Sequence, residues 1–159
     1  MSTFNRFQKL FGIGPIGAGI TFVLLAAFMG LNSFFGHPEI LRNPLPLRIA
    51  GAGLVVMGLG LHVWSMWTLR RWWLDDQLCV AGPFKWFRHP MYAAWVTFIL
   101  PGLALILNSR VVLAGVVLIH SIWHLLVSWE EKKLLEIFQD EYRLYSKRTG
   151  RFFPRIGKA

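Results

Sequence analysis

The sequence holds a single cysteine, Cys79, among 159 residues. One thiol allows no intramolecular disulfide and no cysteine-based metal cluster. Its neighbours give it no support as a nucleophile, so a structural role is expected. Acidic residues are also scarce, 8 Asp+Glu against 17 Lys+Arg, which leaves a formal charge of +9. That excess does not describe a nucleic-acid surface, because the basic residues are spread over separate segments and no DNA-binding fold fits the remainder. Charge of either sign is missing from residues 15–35, 49–69, 91–107 and 111–129, with histidine counted as neutral. These runs match the ~20 residues that cross a ~30 Å hydrocarbon layer as helix. Backbone groups must pair internally in lipid, so helix is their expected form. The expected fold class is therefore all-α. It comprises four transmembrane helices and a cytoplasmic amphipathic C-terminal helix, in one integral membrane domain over residues 1–159.

The basic residues that are present set an orientation. Arg6 and Lys9 precede the first run, and Arg70, Arg71, Lys85 and Arg88 lie between the second and third. Lys132, Lys133, Arg143, Lys147, Arg148, Arg151, Arg155 and Lys158 follow the fourth, leaving only Arg42, Arg48 and Arg110 opposite. Both termini and the central loop are expected in the cytoplasm, with the charge attracted to anionic membrane lipid. The first run is long and three more follow, so it is expected to be an uncleaved span rather than a signal peptide.

Phe4, Phe7, Leu10 and Phe11 have the spacing of a short interfacial helix. The first span offers packing and no chemistry. In the second, Gly51, Gly53, Gly58 and Gly60 let helices approach closely, and His62 lies ~10 Å from the cytoplasmic end at 1.5 Å per residue. Trp64, Trp67, Trp72 and Trp73 form an aromatic belt. Pro101-Gly102 predicts a kink in the third span. Asn108-Ser109 leaves room only for a tight turn, making the third and fourth spans an antiparallel hairpin.

The richest stretch is Gly82 to Tyr92, G-P-F-K-W-F-R-H-P-M-Y. Pro90 suits a first helical turn, with His89 just outside it. The helix start beside Arg88 and His89 would attract a small anion. The simpler alternative is a basic, aromatic-anchored membrane loop. The hairpin returns this stretch and Glu130-Glu131 to one level, so cationic and carboxylate groups meet. His120, His124, Val127 and Glu131 share a helix face, expected to point into the bundle. Beyond Trp129, Leu134, Phe138, Tyr142 and Tyr145 form the apolar side of an amphipathic helix that can roof the site.

Three functions compete on these residues. His62 and His124 sit at similar depths and could ligate a haem. A non-catalytic assembly protein explains the spans but not the clustered charges. An enzyme could hold a zwitterionic cofactor between Arg88 and the glutamates while a greasy substrate arrives from the bilayer.

The segments around Leu59 to Trp64, G-P-F-K-W-F-R-H-P-M-Y, E-E-K-K-L-L (130–135) and F-Q-D-E-Y-R-L-Y-S-K-R-T-G-R-F-F-P (138–154) resemble the isoprenylcysteine carboxyl methyltransferase family. Related phospholipid methyltransferases share R-H-P-x-Y and the glutamate pair. The resemblance covers a core of about 50–155. It implies S-adenosylmethionine as cofactor, held without a Rossmann glycine loop, in keeping with the lack of a soluble G-x-G-x-x-G unit. By matching position it implies cofactor contacts from Arg88, His89, Tyr92, Glu130 and Glu131, supported by Gly82, Phe84, Tyr142 and Tyr145. No metal is implied. The implied acceptor is a lipid or lipophilic small molecule; His124 or Glu131 could take a proton if it is an amine or thiol. A membrane NADPH-dependent reductase shares part of this architecture and is the further alternative. Several positions depart from the family. Ala94 and Gln139 stand where glycine is usual, Phe84 where tyrosine is, Gly150 where an apolar residue or proline is, and His62 where arginine is.

Overall fold

The computed structural model describes residues 12–72 and 77–155; the expected interfacial segment, Trp73 and the extreme C-terminus lie outside them. Pro15 opens helix α1, Gly14–Phe34, in a turn whose N–H groups have no intrahelical partner. Helix α2 spans Leu45–Trp72, with Arg70 and Arg71 in the last turn, where cations favour the dipole. A 3-10 turn, Gly82–Lys85, leads to α3, Pro90–Ile106. Helix α4, Arg110–Arg148, runs 39 residues from an N-cap at Ser109, whose side chain accepts from the Val112 N–H. There is no named strand among the described residues, and the architecture is all-α and polytopic. Helices α1, α2 and α4 are long and apolar enough to cross a membrane, while α3 is shorter, at 17 residues.

The third helix bends differently from the expected proline kink. Its chain is α-helical over Pro90–Ala93, widens to a π-helix over Ala94–Ile99, and resumes as α-helix at Leu100–Ile106. Pro101 has no N–H for its i−4 carbonyl and its ring crowds that turn. The distortion is therefore absorbed upstream, and Pro101 falls in the first turn of the resumed helix.

Helix α1 packs on α4, α4 on α3, and α3 on α2. Lipid tails are as apolar as leucine, so close fit rather than exclusion from water drives these contacts. A Cβ on Gly51 would lie 2.5 Å from the Gly102 carbonyl oxygen, and one on Gly58 would lie 2.8 Å from that of Ala94. Ala94 thus belongs to the α2–α3 contact. Gly17 admits the Trp123 ring and Gly115 the Phe28 ring. Trp123 also donates to Thr21 Oγ1 at 2.9 Å. At the end of the bundle away from Arg88, the expected tight turn is closed by Asn108 (φ 51°), whose amide exchanges two hydrogen bonds with Leu41.

The core runs through the α3–α4 hairpin and includes a residue from outside it, Phe152, only 1% exposed. The C-terminal tail folds back to put it there. Gly150 donates to the Trp86 carbonyl at 3.2 Å, Arg88 donates to the Gly150 carbonyl at 2.7 Å, and His89 to that of Arg151 at 3.3 Å. A Cβ at Gly150 would collide with the Phe153 carbonyl, which accounts for glycine at this position.

Candidate active site

The hairpin brings R-H-P-M-Y and the glutamate pair together as expected. Arg88 Nε donates to Glu131 Oε1 at 2.7 Å. Its Nη1 donates to the carbonyls of Ser146 and Thr149 at 2.9 and 2.6 Å, so the guanidinium is fixed from two directions. Pro90 takes the first helical turn and leaves His89 as the flanking residue. The His89 ring lies between the two carboxylates, with Nδ1 3.6 Å from Glu130 Oε1 and Nε2 3.4 Å from Glu131 Oε1. The second contact lacks hydrogen-bond alignment. Tyr92 stacks on His89 and donates to Glu130 Oε2 at 3.1 Å.

Adjacent residues on a helix point about 100° apart, and the two glutamates divide accordingly. Glu130 turns toward α1 and accepts from the Ile13 N–H at 3.0 Å, where a carboxylate favours the positive end of a helix. Glu131 turns toward an open cleft of about 330 Å³, lined by Arg88, Ser128, Glu131, Lys132, Leu135, Tyr142, Arg143 and Ser146. Lys132 and Arg143 add positive charge at its edge. The Tyr142 side chain is buried, and its hydroxyl has no hydrogen-bond partner. A buried hydroxyl left unpaired is costly, so a polar ligand atom there would be stabilised.

The last turns of α4 form the roof because the helix breaks at Gln139 (φ 44°, ψ −117°). Beyond the break, Tyr145 donates to the Phe84 carbonyl at 2.7 Å and anchors the roof to the central loop. Phe84 is buried beneath it. Gly82, with φ 53°, passes so close to α2 that a Cβ would meet Thr68 Oγ1 at 2.7 Å. Gly82, Phe84 and Tyr145 therefore shape the loop and roof, while Arg88, Glu131 and Tyr142 face the cleft. Cys79, in the same loop, is buried, and burial pushes its thiol pKa up.

Arg151, in sequence one of the basic residues that set the orientation, is central here. It pairs with both oxygens of Glu131 and donates to the His124 carbonyl at 3.0 Å. The R-F-F-P pattern gave a hint, since aromatics beside a cation suit a tail that returns to the bundle. His124 shares its face with His120 as expected, but Phe152 covers the ring at 4.7 Å. His62 instead meets Trp95 edge-on. The two histidines of the haem reading thus pack on different partners. The tail backbone also lies across residues 88–89, where the sequence suggested an anion at the helix start. A literal G-x-G-x-x-G does occur as G-I-G-P-I-G from Gly12 to Gly17, but it opens a membrane-type helix.

The cobalt-zinc-cadmium resistance protein CzcN of Cupriavidus metallidurans is 28% identical over 152 residues, covering 96% of this chain and 68% of that protein. No solved structure matches significantly. The phospholipid methyltransferase family model matches residues 47–141, which hold R-H-P-M-Y and the glutamate pair and end at the start of the roof. That match covers more than half of the sequence, and the chain belongs to the phospholipid methyltransferase family of membrane methyltransferases.

Proposed function

We propose that this protein transfers a methyl group from S-adenosylmethionine to a lipophilic acceptor that arrives from the bilayer, with the cofactor in the cleft at the cytoplasmic end. The observation carrying this reading is the two-sign cleft itself. It combines the Arg88 guanidinium, the Glu131 carboxylate and the unpartnered Tyr142 hydroxyl beneath one roof. These residues fit a ligand with a carboxylate and an ammonium. Arg88, aided by Lys132 and Arg143, would hold the anionic end, Glu131 the cationic end, and Tyr142 would donate to a polar atom. When bound, S-adenosylmethionine supplies an electrophilic methyl on its sulfonium.

The chain's own residues would contribute mainly position. Fixing two reactants in line supplies much of the acceleration of a bimolecular step. Arg88 is held by two backbone carbonyls, and Glu131 by Arg88 and Arg151, so both are oriented before a ligand arrives. His89, Tyr92 and Glu130 support that frame from behind, while Gly82, Phe84 and Tyr145 maintain the loop and roof. A carboxylate acceptor requires no base, whereas an amine or thiol must lose a proton. Of the two expected bases, Glu131 is already paired with two guanidiniums and the His124 ring is covered by Phe152, which favours an acceptor that needs no base. The distribution of the basic segments supports an orientation with both termini and the central loop in the cytoplasm.

Calorimetric titration of detergent-purified protein with S-adenosylmethionine and its demethylated product tests the reading, with NADPH as control. Saturable binding of both methionine-derived ligands is expected, weakened by Arg88→Ala and by the milder Tyr142→Phe. Binding of NADPH alone would overturn it in favour of the reductase.

A further inference from the structure

A second cavity, larger than the cleft, lies along the final turns of α2. It measures about 510 Å³ and is lined by His62, Val63, Met66, Trp67, Leu69 and Arg70. Its wall is apolar apart from its ends. His62 lies at the inner end, where Nδ1 is buried without a hydrogen-bond partner. Arg70, the one charged residue among the described lining, lies at the outer end. Eight residues separate them, or ~12 Å along the helix axis. Arg71 lies over the Trp67 ring at 5.8 Å, marking the aromatic and basic edge of the span.

We propose that this groove is a binding site for a bilayer phospholipid with an anionic headgroup, separate from the methyl-transfer cleft. Three observations favour that occupant. The groove runs along a helix long and apolar enough to span a membrane, so lipid is the medium that meets it. Its charge has one sign and sits where headgroups lie, and a cation at that level attracts anionic lipid. Val63, Met66 and Trp67 expose their apolar side chains, giving an acyl chain a surface along the helix.

The test is native mass spectrometry of the full chain in detergent, titrated with phosphatidylglycerol or phosphatidylcholine of matched chains. The expected result is an about fivefold preference for phosphatidylglycerol, the scale of one interfacial cation. Arg70→Gln should abolish that preference and Arg70→Lys retain it. Met66→Trp, which fills the groove, should weaken both lipids. Arg48→Gln, at the opposite end of α2, should leave the preference unchanged. Lack of preference in the parent protein, its survival in Arg70→Gln, or undiminished binding in Met66→Trp would overturn the proposal. Thermal unfolding of each variant separates loss of the fold from loss of the site.

Discussion

Replacing Gln139 with glycine should stabilise the protein. Gln139 breaks α4 at φ 44° and ψ −117°. This lies near the first central position of a type II′ turn, which favours glycine because any Cβ crowds the backbone. Holding a non-glycine residue in such a region costs ~1–3 kcal/mol. Glycine removes that strain but gives the unfolded chain more freedom, offsetting ~0.5–1 kcal/mol. The net expectation is about 1 kcal/mol of stabilisation, because Gln139 is exposed and its truncation opens no cavity. For a chain of this length that corresponds to a rise of ~2–4 °C in unfolding midpoint. Thermal unfolding in detergent reads it, with Gln139→Ala as the control that shortens the side chain and keeps the strain. A lower midpoint in Gln139→Gly, or an equal rise in both variants, would refute the argument.

The glycines of α2 should respond by face. Gly51→Ala forces a Cβ to 2.5 Å from the Gly102 carbonyl and should lower stability by ~1–3 kcal/mol. Gly53→Ala meets nothing within 4 Å and should be neutral or stabilising by up to ~1 kcal/mol, again read by thermal unfolding. For Cys79, a raised pKa reduces the thiolate fraction at neutral pH, and burial limits access. Alkylation should therefore be slow in the folded protein and fast after unfolding; a native rate equal to that of a free thiol would contradict the loop packing.

Much of this arrangement was legible because membrane solvent imposes simple rules. Charge-free runs marked the helices, Asn108-Ser109 marked the hairpin, and the hairpin required R-H-P-M-Y to meet Glu130-Glu131. The stripe of His120, His124, Val127 and Glu131 followed from helical spacing. Contacts between segments remote in sequence were harder to read. The aromatics beside Arg151 hint at a returning tail, but its pairing with Glu131 is not legible locally, because the tail's path depends on Phe152 finding the core. The partner that Glu130 finds likewise depends on where α1 begins, with Ile13 just ahead of its first turn. Gln139 and Gly150 appeared as departures from the family pattern. In the structure one sits at a backbone break and the other has no room for a side chain.

The most direct test of the cleft is ultraviolet cross-linking of isotope-labelled S-adenosylmethionine to the purified protein, followed by peptide mapping. The account predicts label in peptides containing Arg88 or residues 138–146, suppressed by excess demethylated product and reduced in Tyr142→Phe. Label confined to other segments, or insensitive to that competitor, would contradict it.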